Sequence, residues 1–545
     1  MNRGSGIILA VSSLPSKYGI GTFGRAAYRF ADFLHDAKQS YWQMLPLGPV
    51  SYGNSPYQSP SSFAGNPYYI DLELLEEDGL LKKGEADSFE WGSNPRYADY
   101  GKLYENRIKV LSLAKERGYV RDLQAVEAFK QENPWVDDYA LFMACKKSFG
   151  MKGLLEWPDE ALRRRETVVL EKYKKELKDD IELYTYIQFL FFKQWDELKK
   201  YIHSKDIKII GDIPIYVAAD SADIWTEPEN FQLDENLMPK SIAGVPPDAF
   251  SKTGQLWGNP LYDWEYMKKD GFGWWIRRIA GCGRLYDVIR FDHFRGLDEY
   301  WSVPKDEATA ENGSWKKGPG EDFVNVLNNW FPELKFIAED LGVSSQSLTE
   351  LMKKSSWPGM KVLEFAFDSE NSEYQPHNYE KNCICYTGTH DNAPLNQWFD
   401  EIHDEYIKSC NNKQKQKSEI SENAAKESVA LPQKTSESSL NCIEKEQTEN
   451  DKFTNAVKYF NLTEEEGYNI GMIRGGMSSV AQLFMAQMQD WLGLGEGHRM
   501  NEPSKSGGCW EWRLLEDEIS GEKGKLLAEK ISEMTMRYGR HIENH

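Results

Sequence analysis

Short apolar runs that end in polar or acidic residues recur along the chain and predict strands that are buried on both faces. Seven runs are clear, at residues 7–11, 41–47, 207–212, 288–292, 335–339, 361–365 and 383–386. An eighth falls within residues 479–489, where the pattern fits either a strand or a helix. Helix-length segments separate the runs. This alternation predicts an α/β fold, a (β/α)8 TIM barrel of eight parallel strands.

Uneven spacing between the strands predicts long inserted subdomains within one catalytic barrel that spans residues 1–545. Residues 66–205 are far more than one crossover helix requires, and we expect a mainly helical subdomain there. Residues 213–286 are a second, turn-rich insertion that we expect to line the cleft, because loops after barrel strands carry most binding residues. Residues 407–452 lack aromatic residues and are rich in Lys, Glu, Ser, Gln and Asn, which predicts a disordered surface insertion.

Charge and cysteine content narrow the possible partners. The net charge is −21, from 65 basic and 86 acidic residues, so the mean surface field disfavours nucleic acid and anionic membranes. The apolar runs are shorter than the ~18 residues that a membrane span needs. Seven scattered cysteines without metal-site spacing are typical of reduced thiols in a cytoplasmic protein, and we expect no metal and no cofactor.

Aromatic residues are frequent, with 18 Trp, 28 Tyr and 25 Phe. Most of them must lie in the core, but flat aromatic faces also suit the apolar faces of pyranose rings. The composition is therefore compatible with a neutral carbohydrate substrate.

Three acidic residues stand at the ends of predicted strands. Arg290 and Asp292 are two positions apart and share one strand face, so the cation would keep Asp292 ionised and nucleophilic; the alternative is a structural ion pair. Glu339 directly follows an apolar run, where partial burial would raise its pKa as a general acid requires; the alternative is a helix-capping acid.

The third acid, Asp391, follows His390 directly after the predicted strand at residues 383–386. By itself this pair could form a turn or ligate a metal. Three strand-end carboxylates on separate strands of one barrel favour catalysis over three unrelated structural roles.

At this point the sequence resembles a known family, the 4-α-glucanotransferases called amylomaltases or disproportionating enzymes, which form glycoside hydrolase family 77 of the α-amylase superfamily. The resemblance covers nearly the whole chain. Besides the three carboxylate motifs, the matching segments are Ser12-Ser13-Leu14-Pro15-Ser16, Trp42-Gln43-Met44-Leu45-Pro46-Leu47-Gly48-Pro49, Ser55-Pro56-Tyr57-Gln58, Phe63-Ala64-Gly65-Asn66-Pro67, residues 245–248, residues 257–260 and Arg499-Met500-Asn501. Ala393-Pro394, Glu502 and Cys509 depart from the usual pattern.

The resemblance implies a role for each acid: Asp292 matches the nucleophile, Glu339 the general acid/base and Asp391 the transition-state stabiliser. The residues that match substrate-binding positions are Arg290, His390, Asp248, Trp257, Tyr57, Ser55 and Gln255.

The implied activity is the transfer of a 1,4-α-glucan segment to the 4-hydroxyl of an acceptor, with maltooligosaccharides and α-1,4-glucans as donor and acceptor. The implied mechanism is a retaining double displacement through a glycosyl-aspartate. One alternative is an α-1,4-glucan hydrolase that uses the same residues, and the other is a non-catalytic glucan-binding barrel.

Overall fold

The computed structural model describes residues 2–51, 53–247, 251–342, 345–369, 371–427, 451–503, 505 and 507–541. The strands are β1 (Gly4–Ile8), β2 (Tyr41–Gln43), β3 (Lys208–Ile213), β4 (Ser241–Val245), β5 (Gln255–Pro260), β6 (Val288–Phe291), β7 (Glu299–Pro304), β8 (Ser314–Lys317), β9 (Lys335–Ala338), β10 (Gly359–Val362), β11 (Cys383–Tyr386) and β12 (Leu483–Gln487).

Helices separate most of these strands. They are α1 (Arg25–Asp36), α2 (Leu72–Glu77), α3 (Tyr100–Gly118), α4 (Leu123–Glu132), α5 (Trp135–Ser148), α6 (Glu160–Arg163), α7 (Thr167–Glu176), α8 (Lys178–Ser204), α9 (Ala222–Thr226), α10 (Trp264–Lys269), α11 (Gly273–Leu285), α12 (Arg295–Asp298), α13 (Gly320–Trp330), α14 (Gln346–Ser355), α15 (Leu395–Glu427), α16 (Lys452–Phe460), α17 (Tyr468–Ser478), α18 (Met488–Trp491) and α19 (Gly521–Arg537).

Eight parallel strands form a closed barrel in the order β1-β12-β11-β10-β9-β6-β3-β2. The predicted (β/α)8 fold is therefore confirmed, and the ambiguous eighth run is the fully buried strand β12. The first strand lies earlier than predicted, over Gly4–Ile8, and Val11–Ser13 form a 3-10 turn instead. Likewise β10 begins at Gly359, and the last three residues of its predicted run, Leu363–Phe365, form a 3-10 turn.

The chain divides into two compact units, residues Met1–Met360 with Met500–His545, and residues Lys361–Arg499. Residues 66–205 of the first unit hold α2–α8. The longest of these helices, α8, buries a run of residues at helical spacing that includes Ile187, Phe191 and Trp195.

Helix α8 also fixes the segment that follows β2. The buried Gln188 pairs with both backbone groups of Gly65, accepting from its N–H at 2.7 Å and donating to its carbonyl at 2.9 Å. Gln194 makes the same pair of bonds with Asp71, at 2.7 Å and 3.1 Å. Two buried side-chain amides thus satisfy backbone groups of this segment and hold it against the helix.

A second, four-stranded sheet lies in the first unit, with antiparallel order β5-β4-β7-β8. Its small core consists of Ile242, Val303 and Ala310, with Trp301 packed against them. Strands β4 and β5 belong to the insertion predicted at residues 213–286, and β5 carries Gln255 and Trp257.

In the second unit, α15 runs to Glu427 and so covers residues 407–427, where composition predicts disorder. The first turns of α15 bury Leu395, Trp398 and Phe399, which nucleates the helix. The Lys, Glu, Gln and Ala residues beyond them are good helix formers and extend it, which corrects the prediction for this half of the stretch. Residues 428–450 lie outside the described residues.

Two general features of the described residues bear on the sequence predictions. Within the ranges given above, no helix combines the length and the apolar character that crossing a bilayer requires. The six cysteines in these ranges are free thiols, namely Cys145, Cys282, Cys383, Cys385, Cys410 and Cys509.

Close packing in the barrel predicts that Gly211→Ala destabilises the fold. A Cβ on Gly211 would lie 2.1–2.3 Å from ring atoms of the buried Tyr286, whose hydroxyl accepts a hydrogen bond from the Leu47 N–H at 3.1 Å. We expect a lower unfolding free energy by about 2 kcal/mol, as for overpacked cores, measured as a shift of the urea midpoint.

The matched control is Gly281→Ala in α11, where the nearest atom to a new Cβ is 3.6 Å away. Alanine is the better helix former, so this variant should be neutral or slightly more stable. Equal destabilisation by both variants would contradict the packing argument.

Candidate active site

Three neighbouring barrel strands bring four charged residues together. In the register of β3 and β6, Asp212 lies opposite Arg290. In the register of β6 and β9, Phe291 lies opposite Ala338. Asp292 directly follows Phe291 in the chain, and Glu339 directly follows Ala338. The Glu339 N–H donates to the Phe291 carbonyl at 3.1 Å, which continues the ladder to this level.

Arg290 joins two of these carboxylates. Its Nη1 donates to both oxygens of Asp212, at 2.8 Å and 2.6 Å, and to Oδ1 of Asp292 at 2.9 Å. The Arg290 and Asp212 side chains are 4% and 0% exposed, whereas that of Asp292 is 27% exposed. Asp212 also accepts from the hydroxyl of Tyr57 at 2.9 Å. The buried Arg290–Asp212 pair therefore holds the guanidinium, and Asp292 is the carboxylate of this cluster that reaches solvent.

Burial raises the pKa of Asp292, and the charges of Asp212 and Glu339 act in the same direction, while the ion pair with Arg290 opposes them. Burial also raises the pKa of Glu339, and Arg290 opposes this shift as well. Arg290 is thus a counterion for both acids, and for Asp292 burial opposes the effect of this cation. One guanidinium faces three carboxyl groups, so the two acids at the strand ends titrate as a coupled pair.

Backbone donors fix the carboxyl group of Glu339. Its Oε2 accepts from the His293 N–H at 2.7 Å, and its Oε1 accepts from the Leu341 N–H at 3.0 Å. His293 adopts a left-handed backbone with φ of 50°, which turns its N–H toward Glu339 immediately after Asp292. The residue after the first acid therefore orients the second.

The aromatic side chain of Trp257 packs edge-on against His293, with ring centroids 4.9 Å apart. The indole N–H of Trp257 donates to Oε1 of Gln255 at 3.2 Å. Burial, and then the charge of Arg295, lower the pKa of His293 to about 4, so its imidazole is neutral near pH 7. Trp257 and Gln255 thus form a half-buried polar and aromatic wall beside the residue that follows Asp292.

The loop after β2 supplies Tyr57 and Ser55. Ser55 Oγ accepts from the Tyr57 N–H at 3.2 Å, which fixes the local turn. The Tyr57 ring lies 5.7 Å from that of Trp510, centroid to centroid, and Gln58 donates to Oδ1 of Asn259 at 3.1 Å. This loop is therefore connected both to Asp212 and to β5.

In the second unit, the loop after β11 carries His390 and Asp391. His390 is buried, and its Nε2 lies 3.4 Å from Oδ2 of Asp391, whose side chain is 44% exposed. Arg499 donates to the backbone carbonyl of Asp391 at 2.8 Å. Asp391 thus presents a carboxylate to solvent from a loop whose backbone is held in place.

Asp490 connects both ends of that loop. Its Oδ2 accepts from the hydroxyl of Thr387 at 2.5 Å, and its Oδ1 accepts from the Leu395 N–H at 2.7 Å. Burial raises the pKa of Asp490 to about 7. Ala393 is buried and its carbonyl accepts from Gln487 at 3.3 Å, while Pro394 immediately precedes α15. The unusual Ala393-Pro394 pair is therefore accommodated by a buried carbonyl contact and a helix start.

Comparison with known proteins identifies the family of this chain. The profile of glycoside hydrolase family 77, described as 4-alpha-glucanotransferase, matches residues 9–517. The chain belongs to this family. The 4-alpha-glucanotransferase of Clostridium butyricum is 46% identical over 534 residues, which cover 97% of this chain and 99% of that protein. The 4-alpha-glucanotransferase of Thermus thermophilus is 40% identical over 535 residues, which cover 96% and 97%.

A solved structure gives the same result. The amylomaltase of Streptococcus agalactiae, determined in complex with acarbose, is 39% identical to this chain, with a TM-score of 0.87. The match covers 99% of this chain and 99% of that one. Family membership confirms the predicted enzyme class, a 4-α-glucanotransferase.

Within this family frame, the predicted site residues fall into three groups. In the first unit Arg290 is hydrogen-bonded to Asp292, and Glu339, on the neighbouring strand, accepts from the N–H of His293. The segments that carry Tyr57, Ser55, Trp257 and Gln255 contact Asp212 and His293. His390 and Asp391 belong to the second unit and lie side by side there. Asp248 lies outside the described residues.

Sequence reasoning missed three residues that hold this site together. Asp212 is the last residue of an apolar run, and an acid in such a run is the signal that could have revealed it. His293 follows Asp292 directly, but its left-handed backbone leaves no trace in the sequence. Asp490 lies in α18, three residues beyond β12, and its bonds run to a loop about a hundred residues earlier.

The Arg290–Asp212 pair predicts that Asp212→Asn is strongly destabilising. The amide keeps the shape of the side chain but leaves the buried guanidinium hydrogen-bonded to one carboxylate only, that of Asp292, among the described residues. We expect a loss of about 3 kcal/mol in unfolding free energy, as for other broken buried pairs, measured by urea denaturation.

Tyr57→Phe serves as the control, since it removes only the hydrogen bond to Asp212 and should cost about 1.5 kcal/mol. If Asp212→Asn costs no more than this control, the pair does not hold the guanidinium in place.

Proposed function

We propose that this enzyme transfers 1,4-α-glucan segments by a retaining double displacement, with Asp292 as nucleophile, Glu339 as general acid/base and Asp391 as transition-state stabiliser. The observation that carries the proposal is the bond from Arg290 to Asp292 beside the half-buried Glu339, whose carboxyl group accepts from the backbone N–H groups of His293 and Leu341. A cation on one carboxyl group and, among the described residues, none bonded to its neighbour give two acids with different tasks.

The balance of charge supports this division of roles. Asp212, Asp292 and Glu339 share one guanidinium, and burial raises the pKa of both Asp292 and Glu339. We assign the ionised form to Asp292, which accepts a hydrogen bond from Arg290, and the proton to Glu339, for which the described residues show no such bond. The resting state is then an aspartate nucleophile next to a protonated glutamic acid.

The first step cleaves a glycosidic bond of the donor glucan. Glu339 gives its proton to the glycosidic oxygen while a carboxylate oxygen of Asp292 attacks the anomeric carbon, so the reducing-end fragment leaves with a free 4-hydroxyl. The non-reducing fragment stays as a glycosyl ester on Asp292. Adjacent strands are about 4.8 Å apart, which suits the close carboxyl pair, roughly 5.5 Å, of retaining enzymes.

The second step completes the transfer. Glu339, now a carboxylate, takes the proton from the 4-hydroxyl of an acceptor glucan, and that oxygen attacks the anomeric carbon as the ester to Asp292 breaks. Two inversions restore the α configuration. Asp391 would bind ring hydroxyls of the sugar and stabilise the oxocarbenium-like state, with His390 and Arg290 holding the same sugar.

Transfer requires the acceptor to compete with water, which an oriented hydroxyl can do because effective molarities in bound complexes far exceed the concentration of water. We assign this orientation to the cleft residues Trp257, Tyr57, Gln255 and Ser55, together with Asp248. The acarbose bound by the Streptococcus agalactiae amylomaltase supports an oligosaccharide substrate for this chain. The donors and acceptors we propose are maltooligosaccharides and α-1,4-glucans.

We also propose that the protein acts in the cytoplasm, without a metal or organic cofactor. Support comes from the free thiols of the described residues. The proposed chemistry needs only carboxyl groups and a neutral glucan, so acid/base and nucleophilic steps account for it.

Maltotriose separates transfer from hydrolysis. We expect glucose and a series of longer maltooligosaccharides, with the total number of reducing ends unchanged, because each bond broken is replaced by one formed. Products are resolved by chromatography and reducing ends are counted in parallel. A steady rise in reducing ends would indicate hydrolysis, and an unchanged substrate would indicate binding alone.

A trapped intermediate tests the two carboxyl roles separately. In Glu339→Gln, maltosyl fluoride should still glycosylate Asp292, because fluoride leaves without a proton, while deglycosylation is slow without the base. Intact-protein mass spectrometry should then show a covalent maltosyl adduct, located on Asp292 after digestion. The matched Asp292→Asn variant should form no adduct, and an adduct on another residue would refute the nucleophile assignment.

A further inference from the structure

Glu364 is a buried carboxylic acid that the proposed mechanism does not use. It lies in the 3-10 turn Leu363–Phe365 directly after β10 and is 5% exposed. Its Oε2 accepts a hydrogen bond from Nδ2 of Asn392 at 3.0 Å. Its Oε1 is buried and has no hydrogen-bond partner among the described residues. The only hydrogen bond that its carboxyl group makes within the described residues thus goes to the residue next to Asp391.

Asn392 passes this contact on to the turn that holds Asp391. Its Oδ1 accepts from both the N–H and the hydroxyl of Thr389, each at 2.9 Å, and its N–H donates to the Thr389 carbonyl at 3.0 Å. The Thr389 Oγ1 in turn accepts from the Asp391 N–H at 3.3 Å. Asn392 and Thr389 therefore close a tight turn around His390 and Asp391.

The carboxyl group of Glu364 also packs against the backbone of this loop. A Cβ on Gly388 would lie 2.6 Å from Oε1 of Glu364 and 3.0 Å from Nε2 of Gln487, so the loop approaches these side chains as closely as a glycine permits. Asp490 binds the two ends of the loop, at Thr387 and Leu395, and Glu364 binds its middle, at Asn392.

We propose that Glu364 is a positioning residue that sets the orientation of Asp391 through Asn392 and Thr389. The proposal rests on the catalytic role proposed for Asp391. Asp490 fixes where the loop begins and ends, but the turn that carries Asp391 is held by the Asn392 side chain, and Glu364 is what orients that side chain. Displacement of a catalytic group by about 1 Å can reduce turnover 10²-fold, so such support is functionally significant.

The surroundings disfavour the charged form of Glu364. Burial raises its pKa well above the ordinary value, Asp490 and Glu401 act in the same direction, and Asn392 and Arg499 oppose them. A protonated carboxyl group has one accepting carbonyl oxygen, and glutamine offers the same acceptor in nearly the same shape. Positioning should therefore survive Glu364→Gln and fail in Glu364→Ala.

The test measures kcat and KM on maltotriose for Glu364→Ala, Glu364→Gln and Asn392→Ala. We expect kcat to fall at least about 10-fold in both alanine variants, with KM changed little, and Glu364→Gln to stay within about twofold of the parent. The double variant Glu364→Ala/Asn392→Ala should lose no more than the worse single variant, because both act through one turn. Glu373→Ala is the control. It truncates the same residue type in the same segment, but its side chain is 58% exposed, and kcat should not change.

Several outcomes would overturn the proposal: an unchanged kcat in Asn392→Ala, a Glu364→Gln variant as slow as Glu364→Ala, or additive losses in the double variant. If Glu364→Ala does not fold, as judged by its melting temperature, Asn392→Ala and Glu364→Gln decide the matter. Asp391→Asn is measured alongside. If it retains kcat, the catalytic role of Asp391 is wrong; if it is inactive while both alanine variants are active, only the positioning role of Glu364 is wrong.

Discussion

The buried ion pair between Arg290 and Asp212 is the constraint on which the rest of the site depends. A guanidinium that is 4% exposed is tolerated only where carboxylates and hydrogen bonds replace its water. Asp212 meets that need inside the barrel, so the remaining face of the same Nη1 is available to Asp292. The buried Asp212 and the partly exposed Asp292 thus share one cation, and neither can be changed without affecting the other.

Hydrogen bonds that involve the backbone orient the other site residues. Glu339 is held by the backbone N–H of His293 and Leu341, and the Asp391 backbone by Arg499 and by the turn at Thr389. Backbone donors in a barrel have little freedom to move, which keeps the acids fixed at low entropic cost. The side chains of Asp292 and Asp391, which are 27% and 44% exposed, therefore project from rigid supports.

Much of this could be predicted from the sequence because barrel strands are apolar on both faces, so short apolar runs mark them and the acids after Phe291 and Ala338 stand out. The supports could not be predicted. Asp212 and Glu364 lie within or next to apolar runs, and their partners are up to 155 residues away in the chain. Residues 407–427 are helical although they have the composition of a disordered segment, and only the buried first turns of α15 distinguish them.

The bonds from Asp490 to Thr387 and Leu395 have a consequence for how the protein is made. The hydroxyl of Thr387 and its acceptor are 103 residues apart, so the loop that carries Asp391 leaves the ribosome long before the residue that fastens it. At elongation rates of about 5–20 residues per second the delay is on the order of 5–20 s. During that interval the nascent chain already holds Asp212, Arg290, Asp292 and Glu339, but Asp391 lies on a loop that Asp490 has not yet fastened. The two ends of this loop are therefore fixed only after residue 490 has been synthesised.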